Sequence, residues 1–143
     1  MKKLLAVALI ALMALTAVFA NGAKESAPAE KTNTLTVWAW DPNFNIPALL
    51  EAEKIYQETH PDFKLNIVEN PSKDIEVKFV TADQAGDYST LPDIFLMQDN
   101  SYQKFIANYP GIFTTLDNSG INFNDFAAGK SAMSTANGKH YGV

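Results

Sequence analysis

Three short apolar runs are separated by two stretches of helical periodicity, and that alternation constrains this chain more than any other feature. The runs are Leu35 to Ala39, Phe63 to Val68 and Asp93 to Met97. The first is apolar at consecutive positions, as expected of a strand covered on both faces. Between the first and second runs lies Pro47 to Thr59, with Leu49, Ala52, Ile55 and Tyr56 on one helical face and Glu51, Glu53, Lys54 and Glu58 away from it. Pro47 suits a first helical turn, and His60-Pro61 ends the segment. Ser72 to Ala85 fits two patterns. Ile75, Val77 and Phe79 alternate as in a strand, whereas Ile75, Phe79, Val80 and Ala82 fit a helix with Asp74 and Lys78 at i,i+4 and Gly86 as its stop. A helix here completes a β-α-β-α-β order, so we expect an α/β fold: a mostly parallel sheet flanked by helices.

Further along, Asn100 or Ser101 is placed to cap a helix running to about Ile106, ended by Asn108-Tyr109-Pro110-Gly111. Residues Asn122 to Asn124 are placed to cap another short helix. Asn137-Gly138 reads as a tight turn, and Tyr141-Gly142-Val143 as the start of a further strand.

The first residues belong to a different category. Lys2 and Lys3 precede an apolar stretch from Leu4 to Ala17, and Val18-Phe19-Ala20 presents small residues three positions and one position before a cleavage point. This predicts a secretory signal peptide over residues 1–20, removed after Ala20. Read instead as a membrane anchor, the run is at the short limit for a span. Residues 21–33, small and polar with one proline, read as a flexible leader, leaving residues 34–143 for the folded part. The chain has no cysteine, which excludes disulfides, a thiol nucleophile and a lipid-anchored cysteine at the cleavage point. Export to a bacterial periplasm is the expected location.

Charge narrows the partners. The formal net charge is −5, or −7 once the two lysines of the signal are removed, and all 11 basic residues are lysine. No basic patch or guanidinium fork is available for phosphate or base edges, so nucleic acid and anionic membrane surfaces are not expected partners. His60 and His140 lack a metal-binding spacing, and no phosphate loop, dinucleotide fingerprint or nucleophile elbow occurs. We expect neither cofactor nor metal.

In parallel α/β sheets, ligands bind beyond the carboxyl ends of the strands. Trp40-Asp41 leaves the first run, and Gln98-Asp99-Asn100 leaves the third. An indole plate beside amide and carboxylate groups suits a sugar, whose flat C–H face stacks while its hydroxyls are hydrogen-bonded. Trp40, Asp41, Asn43, Gln98, Asp99 and Asn100 are therefore candidate ligand contacts. Each also has a structural reading. Trp38 is mid-strand and fits a core, and Trp40 fits either role. Asp41 before proline serves a turn equally well, and Asn100 a helix cap. A second functional reading makes Asp41 and Asp99 the two carboxylates of a secreted carbohydrate hydrolase.

The ordered features resemble those of a known family. These are the bacterial extracellular solute-binding proteins of ATP-driven (ABC) importers, in their sugar-binding, maltose-binding-protein-like branch. The resemblance is carried by Leu35-Thr-Val-Trp-Ala-Trp-Asp41, by the helix–proline–strand succession ending in residues 55–68, and by residues 82–97 with Pro92-Asp93 before the strand. Gly111-Ile-Phe-Thr-Thr-Leu-Asp117 and Asn137-Gly-Lys-His-Tyr-Gly-Val143 continue it. It covers nearly all of residues 34–143. It implies part of the N-terminal lobe of a two-lobed, monomeric receptor that closes on a carbohydrate and delivers it to membrane permease subunits, with no enzymatic activity. It also brings Asp83 into the set of candidate ligand contacts. Family members run to roughly 400 residues with lobes of ordinary domain size. On that comparison the sequence reads as a partial lobe with the second lobe absent, from a fragment or a truncated product. A third reading is therefore a non-functional chain.

Overall fold

A computed structural model describes residues 33–143. The expected signal peptide and all of the expected leader except Asn33 lie outside the described residues. Strands β1 (Thr34–Ala39), β2 (Lys64–Glu69) and β3 (Ile94–Phe95) form a parallel sheet in the order β2-β1-β3. Helix α1 (Asn45–Gln57) joins β1 to β2, and α2 (Ser72–Ala85) joins β2 to β3. After β3 come α3 (Asp99–Asn108), short 3-10 turns at Pro110–Ile112 and Phe123–Asp125, α4 (Ala128–Met133), and a hairpin of β4 (Thr135–Ala136) and β5 (Lys139–His140). The expected α/β alternation is present.

β1 is central because it is the strand able to lose water on both faces. Val37, Trp38 and Ala39 are consecutive and all buried. Opposite parities face opposite sides of a sheet, so three buried neighbours in a row require cover on both. Against one face lies α2, which buries Ile75, Phe79 and Ala82 while Val77 stays 64% exposed. The helical reading of this segment is correct: spacings of four and three place the buried residues on one stripe and turn Val77 outward. Gly86 ends α2 at φ +63°, where its N–H and that of Asp87 reach the Asp83 and Ala82 carbonyls at 3.1 Å. A side chain there would oppose the left-handed backbone. The expected Asp74–Lys78 pairing does not form. Lys73 pairs with Glu76 at 2.9 Å, and Lys78 turns inward to the Asn70 amide oxygen and over the Trp38 ring, 4.7 Å from its centroid.

The inward face of α1 differs from the expected one. Leu49 is half-buried, but Ala52, Ile55 and Tyr56 are exposed, and Glu53 and Gln57 face the sheet instead. The cause is that β2 is an edge strand whose outward backbone groups need partners. The Leu65 N–H donates to Glu53 Oε1 at 2.6 Å, and Gln57 Nε2 donates to the Phe63 carbonyl at 2.6 Å. Tyr56 lies flat on His60, centroids 4.1 Å apart, and edge-on to Phe63. β3 is also an edge, and Ile94 within it is 43% exposed despite lying in an apolar run. Tyr141 to Val143 do not start a strand: the Tyr141 N–H closes back on the Ser134 carbonyl at 2.9 Å, and Ser134 Oγ donates to the Gly142 carbonyl at 2.8 Å.

Phe79 is the hub of the core. Its ring stacks on Trp38 at 6.1 Å and meets Phe95 and Phe105 edge-on at 4.5 and 6.2 Å. It thereby joins β1, β3 and α3 to α2. We expect Phe79→Ala to cost about 3–5 kcal/mol of unfolding free energy, read as a lower midpoint in urea. A second tie joins α2 to α3, where Ser101 Oγ donates to Glu76 Oε1 at 2.6 Å. This hydrogen bond, and then Lys73, hold the Glu76 carboxyl below its ordinary value of 4.5. A lowered folded-state pKa stabilises the fold above the unfolded value and ceases to do so as pH falls through the lowered one. Glu76→Gln should therefore be less stable than the parent chain at neutral pH, and the difference should shrink as pH drops below 4.5, measurable by denaturation at a series of pH values.

Candidate functional site

Because β1 and β3 run parallel and side by side, the residues that follow them leave the same edge of the sheet. Trp40 follows β1, and Gln98-Asp99 follows β3. An open cleft of about 780 Å³ runs along the free edge of β3, from Pro92 and Asp93 before the strand to the residues that leave the carboxyl ends of β1 and β3. Trp40 and Asp99 both line it, together with residues 92–97, Tyr102, Lys130 and Tyr141. The two tryptophans divide at the strand end. Trp38, the last but one residue of β1, is 9% exposed and stacked in the core, whereas Trp40, beyond the strand, is half-buried with one side against the core and another on the cleft.

The other candidates occupy different positions. Asp41 stands at φ +64°. Its Oδ1 accepts the Asn43 N–H at 3.0 Å, and its carbonyl accepts those of Phe44 and Ile46 at 3.3 and 3.2 Å. It is the turn residue that launches α1, as its position before proline allows. Neither Asp41 nor Asn43 is among the residues lining the cleft. Asp83 sits in the last turn of α2, the helix that returns the chain to the amino ends of the strands, and accepts the Tyr88 hydroxyl at 2.9 Å. That bond raises the Tyr88 hydroxyl above its usual pKa. Gln98 is exposed at the N-cap position of α3, and Asn100 is exposed one residue into the helix rather than capping it. Asp99 takes the first turn, where a carboxylate complements the helix dipole. Gln98, Asn100 and Asp83 are likewise absent from the cleft lining.

Around Asp99 the structure assembles groups that the linear reading did not single out. Lys130 Nζ donates to both Asp99 carboxylate oxygens, at 2.8 and 2.6 Å. The two residues are brought together by Gln103, whose amide Nε2 reaches the carbonyls of Met133 and Thr135 at 2.9 and 2.8 Å and so holds α4 against α3. Tyr102 lies one helical turn after Asp99 on the same face. Burial, and then the Asp99 charge, push its hydroxyl above the usual tyrosine range. Gly142 allows that ring its place, since a Cβ at residue 142 would lie 2.5 Å from the Tyr102 oxygen. Tyr102 was recoverable from the sequence by its three-residue spacing from Asp99. Lys130, 31 residues from its partner, gave no local signal.

The cleft can therefore offer an aromatic plate from Trp40, tyrosine rings, a carboxylate that accepts and an ammonium that donates. The proposed pair of Asp41 and Asp99 does not face across it: Asp41 is spent on its turn and Asp99 is held by Lys130. Among the described residues no cluster of three or more metal-ligating side chains occurs, and no helix is long and apolar enough to cross a membrane.

No protein-family model matches the chain. Among curated proteins, it is 41% identical over 109 residues to a lactose-binding protein of Rhizobium radiobacter, a match covering 76% of this chain and 26% of that protein. Among solved structures, it resembles the GacH receptor of Streptomyces glaucescens, studied with acarbose, with a TM-score of 0.61 at 19% identity over 76% of this chain and 27% of the receptor. It also resembles a mannotriose-bound protein, CpMnBP1, with a TM-score of 0.60 at 23% identity over 77% of this chain and 27% of the other. At these identities the structural likeness speaks to fold alone, and the chain spans about a quarter of the length of the relatives it matches. By sequence the chain is related to part of that lactose-binding protein, and its fold is similar to part of the GacH receptor and of CpMnBP1.

Proposed function

We propose that this chain is part of a carbohydrate receptor for an ATP-driven importer, and that the part of the cleft where Trp40 and Asp99 meet, at the carboxyl ends of β1 and β3, is one wall of its sugar site. The observation that carries this reading is the convergence of Trp40 and Asp99, 59 positions apart in sequence, on one cleft at the rim where parallel sheets bind ligands. Trp40 stacks on the apolar face of a pyranose, while Asp99, Lys130 and the tyrosine hydroxyls take its hydroxyl groups. The relationship to a lactose-binding protein supports a sugar as the ligand and a binding rather than catalytic role.

In this reading residues 1–20 direct export to the periplasm and are cleaved, residues 21–33 tether the folded part, and the receptor acts as a monomer. It releases its sugar unchanged to permease subunits in the membrane. Residues 34–143 form part of one lobe, and a facing lobe completes the site in the whole receptor. One wall alone removes only part of a ligand from water, and affinity falls steeply with the lost contacts. Asp41 and Asn43 belong in this proposal as the turn that sets Trp40, and Gln98 and Asn100 as groups flanking Asp99. Asp83 is assigned no contact.

The test is saturation-transfer NMR of residues 21–143 with lactose, maltose and mannotriose, which detects weak binding. We expect a signal in the millimolar range from at least one of them, as for a half-built site. Trp40→Ala should lower that affinity by about 1 kcal/mol or more, the scale of a buried aromatic contact, while Trp40→Phe should retain most of it. Equal affinity in all three forms would return Trp40 to a purely structural role.

A further inference from the structure

We propose that the free edge of β3 is a pairing surface for a second copy of this chain, which joins antiparallel across a twofold axis and merges the two three-stranded sheets into one. The pair is formed by residues 21–143 alone and does not depend on the sugar reading, whose monomer is the whole receptor. Its basis is the unequal state of the two sheet edges. At β2, Glu53 Oε1 accepts the Leu65 N–H and Gln57 Nε2 donates to the Phe63 carbonyl, each at 2.6 Å, so that edge is occupied. The edge of β3 is not. The Leu96 N–H donates to the Trp38 carbonyl at 2.9 Å, and Phe95 lies level with Trp38. Successive residues of a strand turn their backbone groups to opposite edges, so the Phe95 N–H and C=O point away from β1. β3 ends the order β2-β1-β3, and among the described residues no strand lies on its outer side.

The side chains beside that edge are apolar. Ile94, Ile121 and Val143 are 43%, 39% and 52% exposed, and all three line the cleft that runs along β3. An unpaired edge bordered by exposed apolar side chains is a template for another chain. The same edge serves on both copies. Phe95 and Phe95 of the second copy form a hydrogen-bonded pair on the twofold axis, exchanging both N–H···O=C bonds. Ile94 of each copy then lies opposite Leu96 of the other, and the two apolar side chains meet across the seam. Asp93 falls opposite Met97, so the two Asp93 carboxylates stand at opposite ends of the short ladder. Their separation along it is about 13 Å, beyond the Debye length of about 8 Å at physiological salt. The other charged residues of the lining, Asp99 and Lys130, are bonded to each other. Because β2 is occupied, each copy has one edge to offer, and the assembly closes at two.

The experiment is sedimentation equilibrium of residues 21–143 from about 10 μM to about 1 mM, with amide exchange followed by NMR at both extremes. We expect a monomer–dimer equilibrium with no larger species, and slower exchange of the Phe95 amide at the high concentration than at the low one. Ile94→Lys sets a charge from each copy on the seam and should weaken pairing by about tenfold or more. Val77→Lys, at a position 64% exposed on α2, should leave pairing unchanged. A monomer throughout the range, a Phe95 amide whose exchange ignores concentration, or equal effects of the two substitutions would overturn the proposal and make a strand from a different polypeptide the occupant to test. Should Ile94→Lys fail to fold, the Phe95 exchange of the parent chain decides.

Discussion

The pairing of β1 on both its edges, with cover on both its faces, is the constraint from which the rest of the molecule follows. Its six residues align with β2 from Thr34 to Ala39, and Val37 and Trp38 align with β3 on the other side. At Val37 and Trp38, buried and paired on both edges, the backbone polar groups are away from water, and the ladder is what satisfies them. That ladder carries Trp38 into the stack with Phe79 and sets the point at which the chain leaves the sheet. One residue beyond Ala39 the indole of Trp40 is half-buried, with one side against the core and another on the cleft, so core and candidate site share a wall.

The two edges of the sheet are handled differently, and both treatments matter for the surface. At β2, two polar side chains of α1 turn inward to occupy the strand's spare N–H and C=O groups, and the helix's more apolar stripe is displaced to the outside. These two hydrogen bonds to partly buried backbone groups go with the rotation that turns Glu53 and Gln57 inward. At β3, the free edge borders the cleft, and residues 92–97 contribute to its lining. The last residues, with Ser134 bonded to the Gly142 carbonyl and Gly142 pressed on Tyr102, close another side.

Much of the fold was legible in the linear chain because it is encoded by short-range periodicity. The three apolar runs, the helical stripe Ile75-Phe79-Ala82, the Gly86 stop and the Asn137-Gly138 turn each depend on residues a few positions apart. The α1 face was misread because amphipathicity assumes that an apolar stripe meets an apolar partner, whereas this helix meets an unpaired strand edge. The cap expected at Asn100 or Ser101 lies at Gln98, a difference of two or three residues that side-chain preference cannot resolve. Among the candidate contacts, Trp40 and Asp99 line one cleft, as expected from the rule that parallel strands present their carboxyl ends together. Asp41 was equally compatible with a turn, and the turn is what it makes.

By itself the sequence determined the alternation of strands and helices, the absence of thiol and guanidinium chemistry, and the rim on which a ligand site would lie. All three rest on residue identity or on contacts close in the chain. Tertiary structure alone decided which face of α1 turned inward, and that Lys130 would pair with Asp99. Those outcomes depend on which edge is left unpaired, and on a helix brought back by Gln103 to residues far behind it. Long-range registry of that kind has no signature at any single position.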